Sequence, residues 1–188
     1  MTGNNRHPYL FTHENSLILL IDFQERFKPV LHKNDETVKN IKLLLAGANI
    51  YNVPIIVTEQ VPEKLGHTIS DFKEYLHKSK LFTKKTMSCC GQIGFIEELR
   101  SRGVKQVAVC GIEAHVCVLQ TCLDLIHNGF QVHLASDAVA ARVPYNKEIA
   151  IEKMKSAGVI ISSVETLLFE MAYTAGTDEF KKLQQLFK

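Results

Sequence analysis

The sequence predicts a three-layer α/β/α domain built on a mainly parallel sheet. Short apolar runs alternate with segments of helical period from Ser16 onward, and glycines and prolines punctuate the joins. The 188 residues suffice for one sizeable core. Strands that alternate with helices imply parallel pairing and right-handed crossovers, so the expected sheet is doubly wound and Rossmann-like.

Each element follows from its local pattern. Residues 1–15 are mostly polar, carry His7-Pro8 and read as a loosely held N-terminal arm; the domain proper spans 16–188. Leu17–Ile21 is a continuous apolar run that stops at Asp22, as a strand buried on both faces does. Val38, Ile41, Leu44, Leu45 and Ala48 recur at three- and four-residue spacing and mark an amphipathic helix. Residues 53–58 form the next strand, with Pro54 barring continuation of the helix. From Gln60 to His77 the chain is a loop with a helical turn or two. Residues 93–102 are helical and closed by Gly103. Strands follow at 106–110, 131–135 and 159–161. Between them, Val118, Leu119, Cys122, Leu123 and Ile126 line one helix, and 147–157 form another. Val164, Leu167, Leu168 and Met171 define a further helix, and a polar one spans 180–186.

Composition removes whole classes of function. Lys and Arg number 22 against 20 acidic residues, a net of +2, too balanced for the basic footprint of a nucleic-acid binder. An apolar share of 46% excludes wholesale disorder. The apolar run near the start is too short for a membrane span or a signal-peptide core. Five cysteines without evenly spaced pairs do not form a secreted disulfide framework, so a reduced, cytoplasmic protein is expected.

Ligands of doubly wound sheets bind beyond the carboxyl ends of the strands, where strand order reverses. In the common order, the strands ending at Asp22 and Cys110 lie side by side there. Cys117 follows the second at the start of a helix, where unpaired N–H groups favour a thiolate and stabilise an oxyanion. The competing account is a small buried apolar residue, which also suits Cys110 and Cys122. Asp22 is either an acid–base group or a cap for the following turn. Gln24 offers a polar contact and Phe27 an apolar wall. Lys84 or Lys85 would favour the thiolate, or both are solvated. His115 is a second base candidate, Asp137 a cap and Arg142 a clamp for a substrate carboxylate or an exposed charge. No HExxH, CxxC, GxGxxG or GxxxxGK[ST] pattern occurs, so no metal or cofactor is expected.

Leu20-Ile21-Asp22-Phe23-Gln24 and Gly111-Ile112-Glu113-Ala114-His115-Val116-Cys117-Val118-Leu119-Gln120-Thr121 resemble the isochorismatase-like cysteine hydrolases. Thr58-Glu59-Gln60 and Leu65-Gly66 are similar to the branch called isochorismatase domain-containing proteins. The resemblance implies a six-stranded parallel sheet and an Asp22–Lys84–Cys117 triad. Lys84 is selected by its spacing from Ser88 in a Lys-x-x-aromatic-Ser pattern. Met87 replaces the aromatic and keeps Lys85 as a rival. It further implies an oxyanion hole from the N–H groups of Glu113 and Cys117, a cis bond between Ile112 and Glu113, and a substrate wall including Ile112. The place of the family's Asp-x-His metal motif reads Thr58-Glu59-Gln60-Val61-Pro62 here, without the ligands. The expected activity is metal-independent hydrolysis of a small amide or related C–N bond through a thioester, in a homo-oligomer. The alternatives are an isochorismatase-type vinyl-ether hydrolase and a non-enzymatic interaction protein on the same fold.

Overall fold

A computed structural model describes residues 6–188. Six parallel strands form one sheet: β1 (Ser16–Ile21), β2 (Ile55–Gln60), β3 (Lys80–Lys84), β4 (Gln106–Ile112), β5 (Gln131–Ala140) and β6 (Ile160–Ser162), in the order β3-β2-β1-β4-β5-β6. The helices are α1 (Asn34–Ile50), the single turn α2 (Pro62–Leu65), α3 (Phe95–Ser101), α4 (Leu119–His127), α5 (Pro144–Ser156), α6 (Val164–Ala172) and α7 (Asp178–Gln185). This is the doubly wound three-layer architecture expected from the sequence.

The continuous apolar run of β1 has a simple cause. Ile18 and Leu20 face α1, α6 and α7, whereas Leu17, Leu19 and Ile21 face α3, α4 and α5. Both faces of the central strand are covered, so each of its residues is buried. The outer strand β3 is the opposite case. Its exposed residues on a free edge produce no apolar run, and the sequence reading assigned no element there.

Of the N-terminal arm, residues 1–5 lie outside the described residues. The remainder is pinned rather than loose. Phe11 is fully buried against the His133 ring, its N–H donates to Glu170 Oε2 (3.0 Å), and Thr12 N–H donates to Gln106 Oε1 (2.9 Å). One buried aromatic and a pair of main-chain bonds suffice to hold a polar segment.

β1 and β4 meet at the sheet's reversal, with Ile21 paired to Gly111. Gly111 has a φ of +114°, and a Cβ there would fall on the Ile21 carbonyl. Only glycine permits this approach of the two strands that frame the crevice.

Candidate active site

Asp22 leaves β1 in the left-handed region, at a φ of +48°. Aspartate tolerates this better than most residues. Its N–H donates to the Thr58 carbonyl (3.1 Å), and its own carbonyl accepts from Gln24 N–H (2.8 Å). The side chain therefore turns inward at the strand ends. Thr58 Oγ1 donates to Oδ1 at 2.7 Å, and Lys84 Nζ pairs with Oδ2 at 2.6 Å.

Lys84 is the last residue of β3, and its ammonium also donates to the carbonyls of Thr86 and Met87, 3.0 Å each. Two hydrogen bonds and the ion pair thereby hold the ammonium. Lys85 is exposed and contributes only its carbonyl, to Gln60 Nε2 at 3.3 Å. Burial works against the Lys84 charge, but the Asp22 carboxylate and the thiols of Cys89 and Cys117 outweigh it, and the lysine pKa is raised.

Cys117 lies in a π-helical turn, Ala114–Val118, that precedes α4. Its buried thiol faces Asp22 and donates to Gln60 Oε1 at 3.6 Å. The surroundings of the thiol oppose the ionisation expected from the sequence. Burial, followed by the Asp22 charge, pushes the thiol up to about 12, while Lys84 pulls the other way. Burial thus works against the thiolate expected at this position.

Glu113 follows Ile112 across a cis peptide bond. Its carboxylate accepts from Arg142 Nε (2.8 Å), Nη2 (3.2 Å) and backbone N–H (3.2 Å). Its carbonyl accepts from Val116 and Val118 N–H at 3.0 and 3.2 Å. Its own N–H meets no acceptor among the described residues. Arg142 is exposed, as one of its two sequence readings held, and it grips Glu113.

The other candidates separate clearly. Gln24 is fully buried and its amide is engaged by main chain: Nε2 donates to Gln60 O (3.1 Å) and Gly66 O (2.6 Å), and Oε1 accepts from Gln60 N–H (2.8 Å). It fastens the loop after β2 to the crevice. Ile112 is buried and Phe27 is half-buried against the same core. His115 makes no hydrogen bond to Cys117 among the described residues. Asp137 is a cap, accepting from Val164 N–H at 2.9 Å. Glu59, within the segment that replaces the family's metal motif, accepts from Thr68 N–H (2.7 Å), Thr68 Oγ1 (2.9 Å) and His67 Nδ1 (3.0 Å).

Sequence reasoning missed the roles of Thr58, Gln60 and Cys89 in this constellation. Cys89 is fully buried, with its Sγ 3.7 Å from Thr58 Oγ1 and its N–H donating to Thr121 Oγ1 at 2.9 Å. Burial and the Asp22 charge push this second thiol up to about 11. Thr58 and Gln60 had a usable signal, since both stand at the carboxyl end of the strand beside β1.

The Isochorismatase domain family matches residues 16–166. The secreted isochorismatase effector Isc1 of Phytophthora sojae is 36% identical over 93% of this chain and 85% of its own length. Isochorismatase domain-containing protein 2A of Mus musculus is 31% identical over 93% and 84%. Among solved structures, a MAR1 ribonuclease from Caenorhabditis elegans superposes with a TM-score of 0.89 at 35% identity, covering 94% of this chain and 91% of its own. The YcaC protein of Escherichia coli, described as an octameric hydrolase of unknown specificity, gives a TM-score of 0.90 at 21% identity over 97% and 91%. Family match, relatives and fold agree, and the chain belongs to the isochorismatase family of hydrolases.

Proposed function

We propose that this chain hydrolyses a small amide or related C–N bond through a thioester on Cys117, without a metal or cofactor. The observation that carries this reading is the buried Asp22–Lys84 ion pair beside the thiol, 2.6 Å between charged atoms. Asp22 accepts the Cys117 proton as sulfur attacks the carbonyl carbon, and the N–H groups of Glu113 and Cys117 hold the resulting oxyanion. Collapse breaks the C–N bond, and Asp22 returns the proton to the leaving amine. Water then loses a proton to Asp22 and attacks the thioester, and the sulfur leaves and is reprotonated. Lys84 keeps its proton throughout, because two carbonyl hydrogen bonds and the Asp22 ion pair hold it as a fixed charge that orients Asp22.

Ile112 and Phe27 supply the apolar wall, and Gln24 acts through the loop it fastens. The neutral resting thiol fits this scheme, since its proton moves only when substrate arrives. A homo-oligomer is proposed on the strength of the octameric Escherichia coli relative, with residues 16–188 as the hydrolase domain. No helix among the described residues is long and apolar enough to cross a membrane. The five free cysteines support a reducing compartment such as the cytoplasm.

The test combines a panel of small primary amides, followed by ammonia release, with acetylation by p-nitrophenyl acetate, followed by peptide mass spectrometry. Wild type should turn over at least one amide and carry acetyl on Cys117, and Cys117→Ala should do neither. Amide turnover that survives Cys117→Ala would remove the covalent route and favour acid catalysis through Asp22 on a vinyl ether. Absence of both turnover and acetylation would favour the interaction protein.

A further inference from the structure

We infer that Arg142 is a positioning residue for the oxyanion hole, acting through Glu113; the inference rests on the thioester reading above. Nearly every polar group of Glu113 is tied down. Oε1 accepts from the Arg142 N–H and Nε, Oε2 from Nη2, and the carbonyl from two N–H groups of the π-helical turn. The residue is 6% exposed, yet its N–H has no acceptor among the described residues. A buried donor left open in so constrained a residue is aimed at something outside the protein's own bonding.

The fastening comes from two directions. The carbonyl is held by the turn that carries Cys117, and the carboxylate by the chain just after β5. Arg142 is the right residue for the second task. Its planar fork meets both carboxylate oxygens, and its main chain adds a third bond that a mobile side chain alone would not supply. An exposed arginine pair is ordinarily worth little. Here the acceptor is buried, and without the Arg142 anchor Glu113 is held only through its carbonyl, so the peptide that carries the open N–H is free to turn. A misplaced donor loses most of its value to a developing oxyanion.

The experiment compares two reagents at the same sulfur. Acylation by p-nitrophenyl acetate passes through a tetrahedral oxyanion: the S–C bond forms, p-nitrophenolate leaves and Asp22 takes the thiol proton. Alkylation by iodoacetamide displaces iodide at a saturated carbon and forms no oxyanion. Arg142→Ala should slow Cys117 acylation about 10- to 100-fold while alkylation stays within about twofold. Arg142→Lys, which keeps the charge without the fork, should fall between, and Glu113→Gln should resemble Arg142→Ala. Parallel changes in both rates, or no change in either, would overturn the positioning role while Cys117 acylation in wild type still stands. A wild-type Cys117 that no acyl donor modifies would overturn the thioester reading and this inference with it.

Discussion

Lys84 Nζ stands 2.6 Å from Asp22 Oδ2, with the two side chains 0% and 2% exposed. Charges so deeply withdrawn from water are each tolerable only because the other is present. The pair is therefore a coupled unit, and its members should fail together.

Lys84→Met should destabilise the fold by about 3–5 kcal/mol, and Asp22→Asn by a comparable amount, because each leaves an uncompensated buried charge. The double variant should recover most of that loss. Urea denaturation of the four proteins measures the coupling, and simple additivity would show that none exists. Lys85→Met, on the exposed neighbour, should leave stability within about 0.5 kcal/mol and activity essentially intact.

Alkylation of free Cys117 should still be climbing at pH 10, rather than levelling near the ~8.5 of an ordinary thiol. The sign follows from burial and the Asp22 charge, which push the group up to about 12. Lys84→Met should slow alkylation further, since the ammonium is the neighbour that eases ionisation. A plateau below pH 8 in wild type would contradict the neutral resting thiol.

Gly111→Ala should cost about 3 kcal/mol or more and abolish turnover. The added methyl combines an unfavourable positive φ with a collision on the Ile21 backbone, which has no side-chain freedom with which to yield. Thermal melting together with a turnover assay would show whether the two losses coincide.

His133 provides an acid-sensitive site remote from the crevice. Burial pushes its ring down to about 4 from the ordinary 6.5. Between those values the unfolded chain binds a proton that the folded chain refuses, so stability falls as pH drops through this window. The accumulated loss is about 3 kcal/mol, complete below the folded value. His133→Leu should flatten the dependence of urea midpoints over pH 6.5–4, and an unaltered slope would assign the acid sensitivity to other groups.

What could be read from the sequence follows from burial. β1, β4 and the helices on both faces bury long apolar sets, so their periodicity is visible. β3 buries little and has no such signature. Lys84 and Lys85 show the limit sharply. In an extended strand, neighbours point to opposite sides, so one lysine enters the crevice and the other meets solvent. Which is which depends on the phase of a strand that composition does not reveal; the structure buries Lys84 beside Asp22 and leaves Lys85 exposed. Cys89 was illegible for another reason. Its relation to Thr58 and Asp22 exists only after the turn at Ser88–Gly91 folds against α4. Arg142 had two readings available, and its actual partner lies 29 positions away.

The cation of this constellation rides on an edge strand. β3 holds to the sheet only through β2, and Leu81 on it is 51% exposed. Segments with few buried contacts open by themselves, well below the free energy of global unfolding. Detachment of β3 would carry Lys84 away from Asp22 while the central strands stay folded. Amide hydrogen exchange at residues 80–84 would then track the competent fraction of molecules more closely than any melting temperature does.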